Sequence, residues 1–383
     1  MNAFGIYIHW PFCLSKCPYC DFNSHVAASI DQPGWRDALL AELSYFAART
    51  KDREVTSIFF GGGTPSLMDP ATTQALLARI HDLWPVAPGV EISLEANPGT
   101  IDAERFHGFR AAGINRLSMG LQALNDPDLK FLGRRHDVAQ AIQAVELARA
   151  IFPRISFDLI YARPGQTPEA WRAELAQAIA LAADHLSLYQ LTVEPGTAFH
   201  PAHARGDFIL PVEDDAALMF DLTQEMCEAA GLPAYEVSNH ARPGAECRHN
   251  QLYWQGGDYL GIGPGAHGRC TDHSGVTSAL RQYKTPEKWL SAVAQLGHGT
   301  QEETALTPQE RLEELVMMGL RLTEGLDSAR FQRQTGRKLG EALNQSGLAT
   351  MLDESMLIWR GPYLLATPKG RLLLNSVIAA LLP

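Results

Sequence analysis

Short apolar runs alternate with longer amphipathic stretches along the first half of the chain. Phe4-Gly5-Ile6-Tyr7-Ile8-His9 reads as a strand stopped by Pro11, and Trp35, Leu39, Leu43 and Phe46 then recur at helical spacing. Residues 55–60 predict a second strand that ends in Gly61-Gly62-Gly63-Thr64-Pro65. Asp69-Pro70 is an N-cap and N1 pair opening a helix to about Leu83. Strands over 91–95, 116–122, 155–160 and 185–191 follow. Between them lie helical patterns over 106–112 and 139–151, and another after Thr167-Pro168. Six strand–helix units in alternation predict a parallel sheet with right-handed crossovers. A unit length of about 30 residues suits an α/β fold built on a partial (βα)6 barrel of the TIM type. A doubly wound open sheet has the same periodicity and stands as the rival architecture.

Past the sixth strand the pattern changes. Residues 214–230 read as a helix and 235–238 as a short strand, before an unusual stretch from Cys247 to Trp254. From about Thr300 the chain is helical again, with Leu312, Leu315, Val316, Gly319 and Leu320 on one face. Residues 331–382 give two helices, short strands around Leu357 and Leu365, and a helix after Pro368, a small winged-helix-like α+β domain. The division expected is a barrel over 1–230, a connecting region over 231–300 and a C-terminal domain over 301–383.

Composition narrows the partners. The 383 residues are 46% apolar and 20% charged, with a net charge of −11, which argues against a nucleic-acid backbone. No stretch has the apolar length of a membrane span, and Met1-Asn2-Ala3-Phe4 carries no basic leader. Three of the six cysteines fall within eight residues, unlike a disulfide framework, so a reducing cytoplasm is the expected home.

Those three are Cys13, Cys17 and Cys20, with Pro18 bending the chain between the last two. A closed zinc site wants four ligands, and here His9 or His25 would have to complete it. Three thiolates instead suit an iron–sulfur cubane with one iron left open. Other chemistry falls at strand C-terminal ends, where a barrel keeps its active site: the triple glycine, Glu95, Gln122 and Asp158. Asp158 lies inside an apolar strand, where a charge is costly unless it is paired or faces the lumen. Arg134, in Gly133-Arg134-Arg135-His136, either pairs a carboxylate or is solvated. His249 could ligate haem iron, with Tyr253 and Trp254 offering flat apolar area. The alternative is a structural strand with a satisfied histidine and two core aromatics. Cys247 is a weaker axial candidate, and Cys227 and Cys270 read as buried fillers.

The C-x3-C-x2-C spacing with Tyr19 before the last cysteine resembles the radical S-adenosylmethionine (SAM) superfamily. The stretches from Tyr7 to His25, Gly61 to Pro65, Asp158 to Thr167 and the C-terminal domain are similar to its HemN/HemW branch. Within that branch two features favour the HemW haem-chaperone family over coproporphyrinogen III oxidase. Phe22 stands where the oxidase has a fourth cysteine, and His249-Asn250-Gln251-Leu252-Tyr253-Trp254 matches the H-N-x-x-Y-W motif. The resemblance implies a [4Fe–4S] cluster on Cys13, Cys17 and Cys20. It assigns Tyr7, Tyr19, Gly62, Gly63, Thr64, Glu95, Gln122, Arg134 and Asp158 to cofactor contacts, and His249, Tyr253 and Trp254 to haem. It further implies haem delivery to acceptors, respiratory proteins among them, with any membrane contact peripheral and through those partners. The rival activity is oxidative decarboxylation of porphyrinogen propionates by a 5′-deoxyadenosyl radical. One departure is Ala162-Arg163, where the family usually has Gly-Leu, so the shape of that strand-end loop is in question.

Overall fold

The computed structural model describes residues 3–100 and 102–382. The strands are β1 (Phe4–Trp10), β2 (Val55–Gly62), β3 (Val86–Ala96), β4 (Arg116–Gln122), β5 (Arg154–Tyr161) and β6 (His185–Gln190). They pair in parallel and in chain order, each hydrogen-bonded to the next. A doubly wound sheet would reverse its order at a switch point, and no reversal falls between β1 and β6. Helices α1 (Gln32–Thr50), α2 (Pro70–Leu83), α3 (Ala103–Ala112) and α4 (Val138–Ile151) pack in succession outside the strands. The helices α5 (Pro168–Leu181) and α6 (Glu213–Ala229) complete the layer. Strand β1 is buried at six of its seven positions, as expected of a parallel strand covered on both faces. The start signals act as expected: Asp69 accepts from Ala71 N, and Thr167 from Ala170 N.

Residues 231–300 are not merely a connection. The strand expected at 235–238 falls instead on β7 (Asn239–Ala241), antiparallel to β6. After α7 (Arg248–Trp254), β8 (Asp258–Ile262) returns to pair in parallel with the other side of β1. Then β9 (His267–Thr271) and β10 (Thr277–Gln282) extend that edge antiparallel, followed, after helix α8 (Pro286–Leu296), by β11 (Thr300–Ala305). The result is one eleven-stranded sheet whose core includes Leu260, Ile262 and Trp289 beside Ile6 and Leu39. Glu42, on α1, pins this extension: buried, it accepts from Gly263 N and Gly299 N, both at 2.7 Å, and from the Trp289 indole. Burial, only partly offset by these donors, pushes its carboxyl up to about 7.

The C-terminal domain has its own core, with Leu312, Leu315, Phe331, Leu364 and Val377. Helices α9 (Pro308–Gly319), α10 (Ser328–Thr335), α11 (Gln345–Asp353) and α12 (Leu374–Leu381) surround a small antiparallel sheet. Its strands are β12 (Leu326–Asp327), β13 (Leu357–Arg360) and β14 (Tyr363–Ala366), with β14 central.

The Ala162-Arg163 departure has a clear shape. Ala162 takes a left-handed φ of 55°, the conformation glycine adopts freely. Arg163, 1% exposed, pairs with both oxygens of Glu174 and with Asp128 Oδ2 at 2.7 Å. Glu174 also accepts from Leu124 N at 2.7 Å, so the ion pair ties the loops after β4 and β5 together. Replacing Arg163 by Leu leaves a buried carboxylate without its cation and is expected to cost about 3 kcal/mol. Urea unfolding of Arg163→Leu and of Arg163→Leu/Glu174→Leu checks this, since the second change should recover part of the loss. A single variant as stable as the parent would show that the pair holds nothing.

Candidate functional site

Every strand from β1 to β6 delivers its C-terminal end to one mouth. A cavity of about 150 Å³ opens there, lined by Cys13, Cys17, Tyr19 and Cys20 together with Gly62, Gly63, Thr64, Glu95, Gln122, Arg134 and Asp158. Eleven of the residues singled out from the sequence therefore converge. Tyr7, His249, Tyr253 and Trp254 are not among the lining residues.

The three thiols are free, half-buried and served by polar neighbours. Thr64 Oγ1 donates to Cys13 Sγ at 3.3 Å, and Arg134 Nη1 reaches Cys17 Sγ at 3.5 Å. Burial raises the Cys13 and Cys20 thiols, opposed by the hydroxyls of Thr64 and Ser24. Arg134 is anchored by the Gly120 carbonyl at 2.6 Å, and its Nε is buried without a partner. A buried cation beside bare thiols suits a negatively charged thiolate-bound cluster.

The glycine edge lines the cavity and also packs the cysteine loop. Gly63 N and Thr64 N donate to the carbonyls of Trp10 and Phe12 at 2.7 and 2.8 Å, binding the cluster loop to β2. A Cβ on Gly63 would lie 2.7 Å from Phe12 O, and one on Gly62, at φ 115°, would lie 2.6 Å from the His9 ring. The glycines first let the cysteine loop lie against the strand.

Two carboxylates share the lumen below. Gly62 N donates to Glu95 Oε2 at 3.2 Å. Burial, then repulsion from Asp158, still pushes Glu95 up to about 8. Burial likewise lifts Asp158 to about 6, against the Ser187 hydroxyl and the guanidinium groups of Arg116 and Arg134. Gln122, at a register shift in β4, holds a left-handed φ of 78° at the cavity wall. Non-glycine residues in that region cluster at functional sites. Asn97 and Ser118 also line the cavity and were missed. Asn97 follows the end of β3 directly, so the strand-end rule could have found it.

Tyr7 lies one layer below, its hydroxyl 3.0 Å from His9 Nδ1 and its ring stacked on Phe59 and His249. His249 departs furthest from expectation. It sits on helix α7, not on a strand, is 1% exposed, and has both ring nitrogens engaged: Nδ1 with Ser57 Oγ at 2.9 Å and Nε2 with the Tyr253 hydroxyl at 2.7 Å. Burial lowers it to about 3, so the ring is neutral. In this arrangement it offers iron neither a lone pair nor space. Glu91, itself paired with Arg154 at 2.8 Å, accepts from Arg248 N at 2.9 Å and caps α7. Trp254 lines a cleft together with Leu315, Leu322 and Phe331, with Arg321 over its ring. Cys247 is wholly buried, its thiol 3.5 Å from Glu91. The motif closes the barrel floor and meets the C-terminal domain.

Removing His249 would leave the Ser57 hydroxyl and the Tyr253 phenol unpartnered around a void. His249→Ala is expected to lower stability by about 3 kcal/mol, read as a lower urea midpoint at unchanged slope. An unchanged midpoint would show that the floor does not depend on it.

Comparison with known proteins agrees with the geometry. The Radical SAM superfamily model matches residues 7–178, and the HemN C-terminal domain model residues 306–373. "Heme chaperone HemW" of Haemophilus influenzae is 38% identical over 98% of this chain and 96% of its own length. The Escherichia coli protein of that name is 36% identical over 98% and 97%. The mitochondrial radical S-adenosyl methionine domain-containing protein 1 of Mus musculus is 38% identical over 99% of this chain and 87% of its own. Among solved structures, coproporphyrinogen III oxidase (HemN) from Escherichia coli superimposes with a TM-score of 0.82 at 25% identity, covering 99% of this chain and 90% of the other. On full-length similarity and the three-cysteine site alike, the chain belongs to the HemW family of the radical SAM superfamily.

Proposed function

We propose that the protein is a haem chaperone that carries one [4Fe–4S] cluster, binds SAM beside it, and passes haem to acceptor proteins. The convergence of Cys13, Cys17 and Cys20 over the Glu95–Asp158 cavity supports the cluster and SAM. The names of the full-length relatives support haem. Cys13, Cys17 and Cys20 would hold the cluster through their thiolates, and once reduced it would supply one electron for reductive cleavage of SAM.

The chain's own residues divide the remaining work. Thr64 donates to the Cys13 sulfur, and Arg134 offsets charge at Cys17. SAM carries a sulfonium and an amino group, and the lumen meets them with Glu95 and Asp158. Gln122, Tyr19 and Asn97 line the remaining wall. Free thiols throughout suit a reducing compartment, and no described helix is long and apolar enough to cross a membrane.

The oxidase reading draws on the HemN-like fold. Phe22 counts against it, exposed on the rim where the oxidase has its fourth cysteine. Ferric haem titrated into anaerobically purified protein tests the proposal and should give a saturable Soret change. After incubation with SAM and coproporphyrinogen III, mass spectrometry should find the propionates intact. Decarboxylated product would transfer the protein to the oxidase class. Changing any one of the three cysteines to Ser should remove most of the cluster's iron and sulfide; full iron in two of the three variants would break the ligand assignment.

The lumen makes a further prediction. Glu95, raised to about 8, is mostly protonated at pH 7, whereas a bound cation favours its ionised form. SAM binding at pH 7 should therefore release a proton, and affinity should rise with pH until the carboxyl ionises unaided. Calorimetry in buffers of different ionisation enthalpy reads the release. Glu95→Gln should abolish it and weaken binding by roughly tenfold or more. Equal release in the variant would place the proton elsewhere.

A further inference from the structure

With His249 buried in the floor, the haem surface must lie elsewhere, and the barrel mouth carries a candidate. Residues 22–26 leave the cysteine loop as an arch held by Asn23. Its Nδ2 donates to the carbonyls of Pro264 and Lys284, both at 2.9 Å, and a Cβ on neighbouring Gly265 would lie 2.3 Å from that nitrogen. With the amide turned this way, Asn23 Oδ1 is the acceptor. His25 Nε2, 3.2 Å away, is therefore the donor. A hydrogen-bonded far nitrogen is how proteins fix an imidazole for an incoming group.

On this arch Phe22 and Val26 are 62% and 60% exposed, and Phe22 also lines the SAM cavity. The turn gripped by Asn23 runs directly into His267. That side chain is exposed and, among the described residues, makes no side-chain hydrogen bond. Partial burial, with the charges of Arg269, Lys284 and Arg281 nearby, lowers His267 and favours its neutral form. Lys284 is exposed and has no ion-pair partner among the described residues. A porphyrin presents a flat apolar face, an iron that takes a neutral imidazole, and two carboxylates. This rim supplies a match for each.

Resting on the haem-binding reading above, we propose that haem docks on this rim. Its ring lies over Phe22 and Val26, its iron is on His267, and its propionates turn toward Lys284, with His25 at the edge. The fourth-cysteine position of the oxidase thus becomes part of a cargo surface beside the SAM cavity.

Ferric haem titrated into cluster-loaded wild type, His267→Ala, Phe22→Ser and His249→Ala tests the rim. His267 and Phe22 are exposed, so both variants should keep their fold and cluster absorbance. His267→Ala should shift the Soret band and weaken binding by roughly tenfold or more, and Phe22→Ser should weaken it by roughly tenfold with little spectral change. His249→Ala, where folded, should bind as wild type. Wild type that binds no haem would overturn the chaperone reading itself. Haem bound by wild type and by both rim variants with unchanged spectrum would overturn the rim alone. So would a loss confined to folded His249→Ala.

Discussion

The placement of the whole site turns on one neutral imidazole. His9, near the end of β1, donates from Nε2 to the Asn23 carbonyl at 2.9 Å and faces the Tyr7 hydroxyl with Nδ1. Burial lowers it to about 4, so the proton stays on the nitrogen that faces the carbonyl. Its ring fills the space a Cβ on Gly62 would need. One side chain thus fixes the return of the cysteine loop, the approach of β2 and the level of the aromatic layer beneath. Asn23 carries the constraint outward to the turn after β8, which Glu42 holds from behind through Gly263. The cluster loop is gripped from the sheet's two sides.

That grip permits an electrostatic arrangement no isolated loop could sustain. Glu95 and Asp158 are half-buried at the cavity wall, where a charge is expensive, and the guanidinium groups of Arg116 and Arg134 act on Asp158. The pair resolves the conflict by raising Glu95 to about 8, so that it is mostly protonated at neutral pH. A site that is near neutral when empty and anionic when filled discriminates for a cationic ligand without paying full desolvation in advance.

The fold was legible because a parallel sheet writes continuous apolar runs at regular spacing, and the caps at Asp69 and Thr167 fixed helix starts to within a residue. The sheet's extension was not. Strands β7 to β11 are short or half-exposed, and β11 reads Thr-Gln-Glu-Glu-Thr-Ala, which has no apolar period to detect. Most cavity residues were visible because they share one rule, the C-terminal end of a strand, whereas Arg134 and Tyr19 came from the resemblance alone. The His249 motif obeys no such rule. Its residue types suit haem, and only three-dimensional placement shows that Ser57, some 190 residues earlier, already holds the imidazole. Tyr7 falls outside the cavity lining for the related reason that strand alternation cannot tell a side chain in the cavity from one in the layer below.

That layer also links the C-terminal domain to the cysteine loop. Just past α7, the Gly256 carbonyl accepts from Arg311 at 2.6 Å and Gln334 at 2.9 Å, both on C-terminal-domain helices. On the same short helix, His249 stacks on Tyr7, whose hydroxyl meets His9. A Cβ on Gly256 would lie 2.1 Å from Leu315, so the approach leaves no slack. Packed contacts of this kind move as units rather than deforming continuously. A shift of the C-terminal domain would therefore reach the cysteine loop through one helix and three rings.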